Sequence, residues 1–272
     1  MRRLAACVVA VLFATTVQAK SEVVEFPVTD FVGDEVSLRA VLNKPAGDGP
    51  FPAVVLLHGC DGLSPDATWT DDHPFLEWGY DERPFLEWGY VTLWIDSFGP
   101  RGLENACNPE DYNKVGPTVR TLDAYAGKEF LAGLSFVDAN GIGVVGWSHG
   151  GWTVLKAVSN DSLHQPSRSD PFKAAVAFFP WCLTELRKVE TPLLVLIGDA
   201  DDWAPSSRCE AMTVTGDAAD SYELVIFLGA THSFDWEGAS NFLGYEMRYD
   251  PQAAAEAFQR TKVILNQYLR QP

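Results

Sequence analysis

Apolar positions along this chain fall into two rhythms. Val23 to Val28 and Glu35 to Leu42 alternate apolar and polar residues, with a turn signal from Asp30 to Asp34 between them. That alternation predicts a pair of antiparallel strands with one face covered. Further on, the apolar residues gather into short unbroken runs: Ala53 to Leu57, Val91 to Ile95, Ile142 to Val145, Ala174 to Phe179, Leu193 to Ile197 and Glu223 to Leu228. Runs of that length predict strands covered on both faces. Between and after them, Thr118 to Leu134, Gly151 to Ser159 and Pro251 to Leu269 read as helices, the last with proline at its first turn. Strands alternating with helices predict an α/β architecture, with a mostly parallel central sheet and helices on both faces.

The first nineteen residues follow neither rhythm. Met1-Arg2-Arg3 is a positive start, Leu4 to Val17 is an apolar stretch too short to span a bilayer, and Val17-Gln18-Ala19 supplies small residues for cleavage. Residues 1–19 are therefore expected to be a signal peptide for export to the periplasm or beyond. No later stretch reads as a linker, so 20–272 is expected to form one domain. The seven residues PFLEWGY occur twice, at 74–80 and 84–90. An offset of ten residues is not a solenoid period, and the second copy runs straight into the strand at Val91.

Charge narrows the partners. The chain carries 37 acidic residues against 20 Lys and Arg, a net charge of −17. Loss of the leader would remove Arg2 and Arg3 and no acid. Such a protein repels nucleic acid and anionic membrane surfaces, so a small-molecule substrate and a monomeric state are the default expectations. Without Cys7 an even number of cysteines remains, Cys60, Cys107, Cys182 and Cys209, as expected of disulfides in an exported chain. None has the Cys-x-x-Cys spacing of a zinc site, and no metal or cofactor is expected.

The chemistry centres on Gly146-Trp147-Ser148-His149-Gly150, which lies between a strand run and a helical run. Gly-x-Ser-x-Gly in that context is the nucleophile elbow of the α/β-hydrolase fold, a turn too sharp to admit side chains beside the serine. A serine hydroxyl needs a base within hydrogen-bond reach. Of the five histidines, His58, His73, His149 and His164 are poorly placed, which leaves His232, just beyond the strand "ELVIFLG". The loop "IGDADDW" offers Asp199, Asp201 and Asp202 to orient that base, and the order serine, acid, histidine fits the fold. For a developing oxyanion, the backbone N–H groups of His149 and of Cys60 are the expected donors.

In "LLHGCDG", "GWSHGG", "GDADDWAP" and "GATHSF", taken in that order, the chain resembles the dienelactone hydrolase family from about Glu22 onward. The acid loop of that family runs Gly-x-x-Asp-x-x-x-Pro, so Gly198 and Pro205 imply Asp201 as the catalytic acid. The lactone-cleaving members carry a cysteine nucleophile where this chain has Ser148, and their oxyanion-loop glutamate is absent near Gly59 and Cys60. The resemblance thus implies a serine hydrolase of carboxylic esters, with lactones as a further option. It also implies the disulfides Cys60–Cys107 and Cys182–Cys209, and it places Arg101, in "DSFGPRG", near the cleft, where its planar guanidinium could clamp a substrate carboxylate or bond loop carbonyls. Trp147, Trp181, Trp203 and Trp236 flank the motifs and are expected to line an apolar pocket. The competing expectations are a peptidase of the same fold and a binding protein that has kept the pocket without the chemistry.

Overall fold

A computed structural model describes residues 20–30, 33–63, 83–112, 114–159 and 170–270. The leader, the first PFLEWGY copy, His73 and His164 lie outside the described residues. In chain order the elements are β1 (Lys20–Thr29), β2 (Glu35–Lys44), β3 (Phe51–Leu57), α1 (Arg83–Glu87), β4 (Val91–Asp96), α2 (Pro109–Tyr112) and α3 (Pro117–Ala132). They continue with β5 (Val137–Trp147), α4 (His149–Val158), β6 (Ala175–Phe178), β7 (Glu185–Leu186), β8 (Leu193–Gly198), α5 (Ser206–Glu210), β9 (Thr213–Val214), β10 (Tyr222–Phe227) and α6 (Pro251–Leu269).

Eight strands form one sheet in the order β1-β2-β4-β3-β5-β6-β8-β10. Only β2 runs against its neighbours; every pairing from β4 to β10 is parallel. The two alternating stretches form the predicted antiparallel pair, with Val24 opposite Ala40 and Phe26 opposite Leu38. The apolar runs from Ala53 to Ile197 form the middle strands, and every residue of β4, β6 and β8 is buried. A parallel sheet covered on both faces demands such runs, since neither face meets water. The last run, Glu223 to Leu228, departs from the expectation of cover on both faces: it forms the edge strand β10, most of whose residues are only half-buried, and Leu228 beyond it is exposed.

The helices fit by small residues and by spacing. On α3, Gly127 faces β4, where a Cβ would meet Ile95. On α6, Ala253, Ala257, Thr261, Leu265 and Leu269 recur every four residues and are all buried. Asp250 caps α6 by accepting from the Gln252 and Ala253 N–H groups at 3.0 Å, and Pro251 occupies the first turn, where a missing N–H does no harm. The second PFLEWGY copy forms α1 and the turn after it, with Phe85 fully buried.

Two disulfides staple the loops above the sheet. Cys60 pairs with Cys107 across 47 residues, and Cys182 pairs with Cys209 across 27. Both pairings are the expected ones. Among the described residues, no helix is long and apolar enough to cross a membrane.

Candidate active site

At the carboxyl end of β5 the chain turns within one residue into α4, and Ser148 makes that turn at φ 51° and ψ −112°. Left-handed φ is unfavourable for a residue with a Cβ. Two contacts hold it there: the Ser148 N–H donates to the Phe178 carbonyl, and Trp152 N–H donates to the Ser148 carbonyl, both at 2.9 Å. The flanking glycines are required by contact. A Cβ on Gly146 would collide with the Gly150 carbonyl, and one on Gly150 with the Leu57 carbonyl in β3.

His232 arrives from the loop after β10, where its ring lies between Phe179 and Trp203, with centroids at 4.7 and 5.2 Å. Its Nε2 is 2.9 Å from Ser148 Oγ and its Nδ1 is 2.7 Å from Asp201 Oδ2. A carboxylate only accepts, so Nδ1 carries the proton and Nε2 is left as an acceptor facing the serine hydroxyl. Asp201 is itself held, because its Oδ1 accepts from the Trp203 and Ala204 N–H groups at 3.0 and 2.7 Å. The neighbouring acids have other duties. Asp199 accepts from Gly229 N–H at 2.5 Å, and Asp202 accepts from Glu246 N–H at 3.2 Å.

Two other histidines stand close by and face elsewhere. His58 is fully buried, bonded through Nδ1 to the Gly59 carbonyl and through Nε2 to Ser97 N–H. The Nδ1 of His149 meets the Arg120 guanidinium at 2.7 Å. Burial, and then the Arg120 charge, push both imidazoles well below their usual range, so both stay neutral. Arg120 is a fully buried cation that also donates to the His58 carbonyl and lies over the Phe98 ring. No motif in the sequence marks it.

The cleft above Ser148 has two lobes, with Cys60, Ser148, Phe179, Trp203 and His232 common to both. The first, of about 170 Å³, is walled by Trp147, Trp236, Phe242 and Met247; the second, of about 350 Å³, by His149, Trp152, Trp181 and Tyr245. A dry cavity of about 150 Å³ holds benzene, so the first lobe has room for a single ring. All four tryptophans singled out from the sequence border the cleft, although Trp147 is 2% exposed and packs mainly on Trp94 and Phe178. Its indole N–H donates to Asp235 Oδ2 at 2.7 Å, which ties the residue before Ser148 to the loop that carries His232. Burial pushes the Asp235 carboxyl up to about 6. Both Cys60 and His149, whose N–H groups are the expected oxyanion donors, border this cleft.

Arg101 is the exception. It borders neither lobe, and its two terminal nitrogens bond both oxygens of the fully buried Asp123, at 2.9 and 2.7 Å. A third bond runs to the Ser97 carbonyl at 2.7 Å. The guanidinium is bonded within the protein, which fits the structural one of its two expected roles and not the substrate clamp. Trp152, Phe179, Phe242 and Tyr245 were not anticipated. Trp152 could have been, since it stands one helical turn beyond Ser148, whereas the other three depend on loop paths.

With this geometry in view, the profile of the dienelactone hydrolase family matches residues 38–269, and the chain belongs to that family. It is accordingly a hydrolase of the α/β-hydrolase fold. Among solved structures it resembles a dienelactone hydrolase-like promiscuous phosphotriesterase from metagenomic libraries, with 18% identity, TM-score 0.65, and coverage of 91% of this chain and 98% of that one. It also resembles a thermophilic esterase of Thermogutta terrifontis, with 20% identity, TM-score 0.60 and coverage of 91% and 92%. Dipeptidyl peptidase 4 of Porphyromonas gingivalis is a third, with 17% identity, TM-score 0.59, 91% of this chain and 35% of that one. No curated protein matches the chain.

Proposed function

We propose that this hydrolase cleaves carboxylic esters through an acyl-enzyme on Ser148. The supporting observation is the continuous hydrogen-bonded line from Asp201 through His232 to Ser148, opening into an apolar cleft. Ser148 Oγ attacks the ester carbonyl carbon while His232 Nε2 takes the hydroxyl proton. The carbonyl oxygen becomes an oxyanion, received by the N–H groups of Cys60 and His149. As the carbon–oxygen bond of the ester breaks, the alcohol leaves with the proton held by His232. Water then attacks the acyl carbon with His232 again as base, which releases the acid and restores Ser148. Asp201 keeps the imidazole in the tautomer this cycle requires. Two disulfides and a signal-like leader support export. In the same reading the protein is one domain that acts as a monomer on small molecules.

The test is covalent labelling and turnover. A fluorophosphonate should modify Ser148, and Ser148→Ala should lower kcat on short p-nitrophenyl esters by on the order of 10⁶-fold while the fold persists. Full activity in that variant would exclude the mechanism. Cleavage of a peptide panel in preference to esters would replace the ester reading with a peptidase.

A further inference from the structure

The two lobes beside Ser148 differ in the charge behind their walls. Two cations stand behind the second lobe: Arg120 bonds His149, and the Arg208 guanidinium lies 4.3 Å from the centre of the Trp181 ring. The border of the first lobe is composed differently. Its border contains no lysine or arginine, and its one acidic side chain is Asp61. Arg101, the cation a substrate carboxylate would need, is paired with Asp123.

Resting on the ester-hydrolase reading, we propose that the first lobe is a subsite for an uncharged apolar group of the ester, and that it rejects a carboxylate. An anion placed there would leave water for walls of Trp147, Trp236, Phe242 and Met247, with no lysine or arginine on the border to offset the lost hydration. The protein carries its own gauge of that penalty. Asp235, held against Trp147 at the back of this lobe, is pushed up from 3.8 to about 6 by burial, even though an indole N–H and the His232 ring favour its charged form. A shift of about two pH units corresponds to a bias of on the order of 100-fold toward the neutral form. Long-range repulsion from the acidic chain acts in the same direction.

The experiment uses the whole protein and three matched esters: a neutral diester, the same compound with a free carboxylate on its acyl side, and the same with one on its alcohol side. The carboxylate on the side that enters the first lobe should lower kcat/KM by about 10- to 100-fold relative to the neutral ester, the lower bound allowing for residual water in an open cleft. The opposite placement should be better tolerated. Phe242→Arg sets a cation at the rim of this lobe and should restore turnover of the penalised ester alone. Equal turnover of all three overturns the inference and leaves the hydrolase reading standing. So does a penalty that Phe242→Arg relieves on neither side. Turnover of none of the three, together with no labelling of Ser148, overturns both.

Discussion

Asp235→Asn should make the protein more stable near neutral pH and leave it unchanged in acid. The Asp235 carboxyl accepts the Trp147 indole N–H and is pushed up from 3.8 to about 6 by burial. A folded-state pKa raised above the unfolded one means that the folded protein binds the proton more tightly. Stability therefore falls as pH rises from about 4 to about 6, and the penalty is fully present above that range. Two pH units correspond to about 3 kcal/mol, taken as an upper bound on the gain. Asparagine still offers an oxygen to the indole but carries no charge. The variant should thus gain up to about 3 kcal/mol at pH 7.5, equivalent to a rise of several degrees in Tm, and little at pH 4. Urea unfolding of both proteins at the two pH values measures this directly. An equal difference at both would refute the charge argument and leave only packing.

The remaining predictions concern the scaffold. Cys60→Ser opens a loop of 47 residues and should lower stability by about 4 kcal/mol in the chain-entropy account, read as a shift in denaturation midpoint under oxidising conditions. Arg101→Ala leaves Asp123 buried without its partner and should cost about 3–5 kcal/mol, while the folded fraction keeps its rate of fluorophosphonate labelling. A fall in labelling rate greater than the loss of folded protein would return Arg101 to the cleft. Gly150→Ala drives a Cβ into the Leu57 carbonyl, so expression with reduced labelling of Ser148 is expected, measured per folded molecule by circular dichroism.

How much of this was legible beforehand depended on whether a feature is local. The alternation in β1 and β2 and the apolar runs of β4 and β8 record burial directly in the sequence. Each appeared where expected. Short α2, α5, β7 and β9 carry no period long enough to read. In the site, the glycines around Ser148 announce a sharp turn because only a backbone without Cβ atoms can make it. Arg101 shows the opposite case. Its neighbourhood motif placed it near the cleft, but Asp123, 22 residues later on α3, takes its guanidinium, and no local signal records that pairing. Asp235 likewise lies 88 residues from Trp147.

The segment between β10 and α6 supplies His232, Trp236, Phe242 and Met247, and is pinned by Arg248 N–H donating to Thr231 Oγ1 at 2.8 Å and by Asp250 N–H donating to the Phe234 carbonyl at 2.8 Å. The proposed base and much of the selectivity-setting wall therefore travel on one piece of backbone. Grafting this segment from a relative to import a new substrate range would replace the imidazole's mounting together with the wall. Single exchanges at Trp236 or Phe242 offer the safer path for an engineer.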